Sequence, residues 1–249
     1  MEVRRSEEWE REEGFTMLKG GKGYTIADIE ALPEGERAEL IDGELFRMEA
    51  PTWTHQDILV QLVLEIGLHI RKNKGKCRVL PAPFAVYIKK DDRNYVEPDI
   101  SVICDEKKKS EKGCQGAPDW MIEIVSPSSK TMDYERKVKL YREAGAREYW
   151  IVDPEAETVT VYDFAHADGQ DIDAHGGRHG SECDTDARND GHSSECDADA
   201  HDNEHGSAHD ADTHTAACDL SPVRYAFSER IKVGIFEDLW LCLADLDFS

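Results

Sequence analysis

Asp99, Glu123 and Lys137 are the residues of this chain from which chemistry follows most directly. Asp99 stands after Pro98 in the apolar, β-prone run 96–104, and Glu123 sits between Ile122 and Ile124 in the run 120–125. Lys137 falls on the helix expected to follow the second run. Two carboxylates on neighbouring strands, with an ammonium close by, can hold a divalent cation and orient a water. That arrangement suits hydrolysis of a phosphodiester. A bare buried carboxylate is costly, so Glu123 calls for a cation, several donors or a basic partner. Tyr134, Val138 and Tyr141 lie three or four positions apart and should face the sheet, and Lys137 shares their stripe. A lysine there either snorkels to water or meets a carboxylate inside. On the residues alone, a metal site and a structural ion pair both stay open.

The elements that must position these groups read as a mixed α/β fold, a central sheet flanked by helices. Residues 1–22 are charged and glycine-containing, and read as a flexible tail. Thr25 opens a short helix that should stop near Pro33, and Asp42-Gly43 is the turn of a hairpin joining 39–41 to 44–46. Thr54 can cap a helix running to about Lys72, with Ile58, Leu59, Leu62, Val63, Ile66 and Ile70 at helical spacing. Strands are expected over 77–80, 84–88, 96–104, 148–152 and 158–164. The run 120–125 is too apolar to have a wet face, which makes it a central strand. A helix should span 131–144, stopped by Gly145, and another short one should lie near 236–244.

Charge is unevenly placed. The formal net charge is −23, but residues 163–219 alone contribute −14 of it. No global basic signature for nucleic acid exists; the clusters at 71–78 and Lys107–Lys109 are explained as well by solvated ends and loops. Seven cysteines without a C-x-x-C spacing suggest free thiols in a reducing cytosol. The charged N-terminus is no secretory signal, and no run approaches the roughly 18 apolar residues of a membrane helix. A cytoplasmic protein is the expectation.

From 165 to 219 the sequence becomes a low-complexity mixture of Asp, His, Gly, Ser and Ala, with eight of the ten histidines. It cannot bury enough apolar surface to offset chain entropy, so a disordered insertion in a loop between two strands is expected. His201, His205 and His209 would align on a helix, but Gly206 and the abundant Asp oppose one, and no closed zinc spacing is present. Zn²⁺ or Ni²⁺ binding by this tract is the weaker reading.

Several segments together resemble the Uma-type family of restriction-endonuclease-like proteins, in the PD-(D/E)XK nuclease superfamily. They are E-L-I-D-G-E-L at 39–45, His55, E-P-D-I-S-V-I at 97–103, and G-A-P-D-W-M-I-E-I-V-S-P-S-S at 116–129. D-Y-E-R-K-V-K-L-Y-R-E-A-G at 133–145 and R-E-Y-W-I-V-D-P at 147–154 continue the series, and I-K-V-G-I-F-E-D-L at 231–239 is a looser match. The resemblance implies a restriction-endonuclease-like domain over 23–164 plus 220–249, acting on DNA. It implies that Asp99 and Glu123, with the carbonyl of Ile124 or Val125, hold Mg²⁺ or Mn²⁺. The superfamily's lysine two residues after the acid is replaced by Val125, and Lys137 resembles a lysine supplied instead from the adjacent helix. Glu39 resembles an additional N-terminal acid. His55 also matches, but a capping or packing role explains it equally well, and Glu148, Tyr149 and Trp150 read as fold determinants. The expected function is a metal-dependent endonuclease. Its alternatives are an inactive nuclease-fold binding module and a metal-sequestering protein acting through the histidine tract; a homodimer is left open.

Overall fold

The computed structural model describes residues 9–12, 15–18, 23–167 and 221–246, with side chains from Gly23 to Ala165 and from 221 onward. These residues all belong to one compact unit, 1–170 with 219–249; a second unit, 171–218, lies outside the described residues. So does nearly all of the expected insertion, together with the histidine side chains to which Zn²⁺ or Ni²⁺ binding was ascribed.

In chain order, strands β1 (Trp9–Glu12) and β2 (Phe15–Leu18) precede helix α1 (Ile26–Glu30) and the hairpin of β3 (Ala38–Ile41) and β4 (Glu44–Arg47). Helix α2 (Trp53–Lys72) leads to β5 (Arg78–Pro81), β6 (Val86–Tyr87), β7 (Ile100–Ile103), β8 (Lys109–Ser110) and β9 (Gly113–Gln115). Then come β10 (Trp120–Ile124), a π-helical segment (Met132–Lys137) running into α3 (Val138–Glu143), β11 (Glu148–Asp153), β12 (Thr158–Asp163) and α4 (Phe164–Ala167). The described part closes with β13 (Val223–Ala226), β14 (Ile231–Lys232) and β15 (Trp240–Leu241).

The main sheet has six strands in the order β13-β12-β11-β10-β7-β5. Only β10 and β11 run parallel, and the helical segment 132–143 is their crossover. All five residues of β10 are buried, as its apolar character requires of a central strand. Alternation divides it: Trp120, Ile122 and Ile124 join the core under α2, while Met121 and Val125 join the core under α3. Ile58, Leu59, Leu62, Ile66 and Ile70 form the inner stripe of α2, and Thr52, rather than Thr54, caps that helix by accepting the His55 amide. Asp42 and Gly43 both adopt positive φ, 51° and 82°, the geometry a two-residue hairpin turn demands.

Four expectations give way. The described part of the supposed tail is a hairpin whose second strand pairs with β4, Met17 opposite Phe46. Cys77 and Cys104 are not free thiols but a disulfide, S–S 2.08 Å, because they extend a register that sets Arg78 opposite Ile103. The helix expected near 236–244 is β15 followed by the 3₁₀ turn Leu243–Asp245. Leu239, Leu241 and Leu243 are buried at the period of a strand, and Leu241 pairs with Ile231 of β14. In 131–144, a π turn replaces the first half of the regular helix.

β12 and β13 form an antiparallel pair with Val161 opposite Val223, so the segment between them links neighbouring strands.

Candidate active site

Lys137 is the centre of the site, and the π turn determines what surrounds it. A wider turn shifts the helix phase, so Asp133, Lys137 and Tyr141 share the inward face, while Tyr134 and Val138 are only half-buried. The Lys137 ammonium lies 2.9 Å from Glu39 Oε2, 2.9 Å from Glu123 Oε1 and 3.4 Å from Asp133 Oδ1. The Lys137 side chain is 7% exposed. Glu39 and Glu123 thus lie at hydrogen-bond distance from the ammonium, while Asp133 Oδ1 is at ion-pair distance and accepts no hydrogen bond among the described residues.

Each acid is held by a different element. Glu39 comes from β3, where alternation turns Ala38 and Leu40 into a separate apolar cluster and leaves Glu39 facing α3. Its Oε1 accepts the Glu97 amide at 3.0 Å. Glu123 comes from β10, on the same side as Met121 and Val125. Its Oε1 also accepts the Tyr141 hydroxyl at 2.7 Å, and its Oε2 accepts the Asp99 amide at 3.4 Å. Asp99 ends the irregular stretch before β7. Its Oδ2 accepts the Ile124 amide at 2.7 Å and meets His55 Nε2 at 3.1 Å. Asp99 thus bonds the main chain beside Glu123, while Glu123 accepts the main chain of Asp99. This reciprocal pair fixes the two acids across the β7–β10 junction.

The charges do not balance. Glu39, Glu123 and Asp133 surround one lysine, with Asp99 beside Glu123, and a buried anion left over must take a proton or a cation. Burial pushes the Glu123 carboxyl well above its usual range despite Lys137, with Asp133, Asp99 and Glu39 adding to the rise. Asp133 is pushed up to about 6 by burial, against the pull of Lys137 and Ser129. Burial alone would lower the Lys137 ammonium, but Glu123, Glu39 and Asp133 hold it well above the usual lysine range. His55 behaves alike: burial lowers it, but Asp99, joined by Gln56 and Asp133, outweighs burial, and its pKa is raised. His55 Nδ1 is buried without a hydrogen-bond partner among the described residues.

These side chains open onto a cleft of about 760 Å³. Arg37 and Arg47 line it on one side, and the turn Ser126-Pro127-Ser128-Ser129 on the other. Arg37 is bound to Glu97, which also accepts the Tyr95 hydroxyl at 2.7 Å. Exposure grades outward, from 5% for the Glu123 side chain to 16% for Asp99, so Asp99 and His55 stand nearer the mouth.

All four residues singled out by sequence, Glu39, Asp99, Glu123 and Lys137, gather in this cleft. Sequence reasoning missed Asp133 and Tyr141 as members, although the spacing Asp133-x₃-Lys137-x₃-Tyr141 was available as a signal. His55 was given no site role; its contact is with Asp99. Glu148 lies elsewhere. It is 1% exposed, accepts the Trp150 indole at 2.7 Å and the Ile235 amide at 3.0 Å, and so fastens the C-terminal segment to β11.

The chain is similar to an uncharacterized protein of Synechocystis, with 28% identity over 106 residues, 43% of this chain and 54% of the relative. It therefore spans about half the length of that curated relative. A crystal structure described as "a putative nuclease belonging to DUF820" from Anabaena variabilis shares 26% identity with it. The alignment covers 57% of this chain and 80% of that one, with a TM-score of 0.48. The Uma2 family, described as "Putative restriction endonuclease", matches residues 26–181, a span that contains Glu39, His55, Asp99, Glu123, Asp133 and Lys137. The chain belongs to the Uma2 family.

Proposed function

We propose that this protein is a metal-dependent endonuclease that hydrolyses DNA phosphodiester bonds in the cleft beside Glu123, working in the cytoplasm. The supporting observation is the surplus of carboxylates around Lys137, with Asp99 and Glu123 locked to one another through main-chain amides. Oxygen-only donors suit Mg²⁺ or Mn²⁺. No three His, Cys, Asp or Glu side chains converge as a closed ligand set among the described residues. The fit is therefore that of a cation held by two carboxylates, Asp99 and Glu123, with the remaining positions left to water and phosphate oxygens. Such an ion would draw charge from the scissile phosphate and acidify a water.

The chain's own residues do the rest. The Ile124 and Asp99 amides keep the two acids oriented, and the Tyr141 hydroxyl clamps Glu123 from behind. Glu39 anchors Lys137 while the Glu97 amide anchors Glu39. Lys137 positions the attacking water and offsets negative charge that grows on the phosphoryl oxygens in the transition state. The water's oxygen adds to phosphorus, one P–O ester bond breaks, and the protons pass to the leaving oxygen and to solvent. The Ser126 and Ser128 hydroxyls at the cleft wall offer donors to neighbouring phosphates.

The deciding experiment incubates supercoiled plasmid and single-stranded DNA with the wild type and with Glu123→Ala, in Mg²⁺ or Mn²⁺. Nicking or linearisation by the wild type, absent from the variant and abolished by EDTA, is the expected result. Intact substrate under every condition, or equal cleavage by Glu123→Ala, overturns the assignment.

A further inference from the structure

Helix α2 presents two faces. Its inner stripe is buried in the core, as an amphipathic helix requires. The outer face is not polar in return. Trp53 is 83% exposed, and Val60, Leu64 and Leu68 are about half exposed. At 100° per residue, Trp53, Asp57, Val60, Leu64, Leu68 and Arg71 fall within an arc of about 80°, one continuous strip along the helix. Val60, Leu64 and Leu68 follow the i, i+4 row that forms a packing ridge.

Charge selects the occupant. Asp57 lies near the start of the strip and Arg71 at its end, and neither has an ion-pair partner among the described residues. The strip is self-complementary about Leu64. Turned end over end, Leu64 meets the partner's Leu64, Val60 meets the partner's Leu68, and Asp57 comes beside the partner's Arg71. A parallel arrangement would instead set each Asp57 against the partner's Asp57. We propose that the outer face of α2 is a homodimer interface, in which two copies of this chain pair antiparallel about a two-fold axis at Leu64.

A 20-residue helix is about 30 Å long, so the pair lies at the small end of specific interfaces, and its population shifts with concentration. The pairing needs no hydrolysis, and its readout is mass, so its fate is separate from that of the nuclease reading. Sedimentation equilibrium over an about hundredfold concentration range is expected to show the wild type rising from one chain mass to two. Leu64→Glu, which places two carboxylates on the axis, should stay at one chain mass with unchanged circular dichroism; Leu68→Glu serves as a second such variant. At low salt, Asp57→Arg and Arg71→Asp should each weaken association about three- to tenfold, and the two combined should restore it. A wild type that stays monomeric throughout, a dimer that survives both glutamate variants, or a combined swap no better than its parents overturns the proposal.

Discussion

The two faces of β10 are built from opposite chemistry. On the α2 side, Trp120, Ile122 and Ile124 meet hydrocarbon and indole; the Trp120 and Trp150 rings pack edge to face at 4.9 Å. On the α3 side, the same strand places Glu123 between Met121 and Val125 and surrounds it with Lys137, Glu39 and Tyr141. One face gains from burial at roughly 25 cal/mol per Å² of apolar surface. The other gives up part of that gain by enclosing charges that do not balance. A period of two residues lets one strand do both. The dry face fixes the backbone, and the fixed backbone holds the charged face in an arrangement it would not choose in water.

Lys137→Met should separate the faces most strongly. It leaves three buried carboxylates around a thioether, so about 3–5 kcal/mol of stability should be lost at neutral pH without divalent ions. Cleavage should be abolished. If the acids hold a cation, Mg²⁺ should raise the melting temperature of this variant more than that of the wild type. Calorimetry with and without Mg²⁺ checks both points, and a variant that cleaves DNA normally removes Lys137 from the mechanism.

Ile122→Ala acts on the dry face alone. A loss of about 2–5 kcal/mol in urea titration is expected, with cleavage per folded molecule near that of the wild type. A large fall in activity at full folding would mean that the faces are coupled, not separable.

Asp133→Asn tests the charged face by pH. Because its pKa in the fold is about 6, above the ordinary 3.8, Asp133 binds its proton more tightly when folded. Its contribution to stability is full below pH 3.8 and is lost as pH rises through about 6. The asparagine variant should flatten that part of the stability–pH curve; an unchanged curve would assign the titration elsewhere.

The smallest effect is expected at the end of α2. Thr52→Ala removes the cap of the helix that delivers His55 to Asp99, at about 1 kcal/mol. Thermal melts should show a drop of that size, with a modest loss of cleavage.

What could be read from sequence follows the same division. The dry face was legible because it obeys local periods: the continuous apolar run of β10, the stripe of α2 and the Asp42-Gly43 turn each need only their own residues. Glu39, Asp99, Glu123 and Lys137 were legible through motif resemblance, and they do share a cleft. Asp133 went unrecognised although it shares an i, i+4, i+8 row with Lys137 and Tyr141, because Tyr134 and Val138, which the structure leaves half-buried, were expected on the inner face. The Cys77–Cys104 bond depends on a strand register 27 residues apart in sequence, which no local pattern encodes. At the C-terminus, Leu239, Leu241 and Leu243 carried the strand period, but the pairing of Leu241 with β14 had to be known for it to count.

Lys137 has one further consequence, for covalent chemistry. An amine attacks an acylating reagent through its lone pair, and this one keeps its proton, is ringed by three carboxylates and is 7% exposed. Acetic anhydride or an N-hydroxysuccinimide ester should therefore modify Lys139, 76% exposed two residues away, long before it touches Lys137. Peptide mapping of the two neighbours gives an internal ratio, and any event that draws Glu39 or Glu123 away from the ammonium should raise it. Lys137 thus serves as a chemical clock for rearrangement of the site, readable without substrate or turnover.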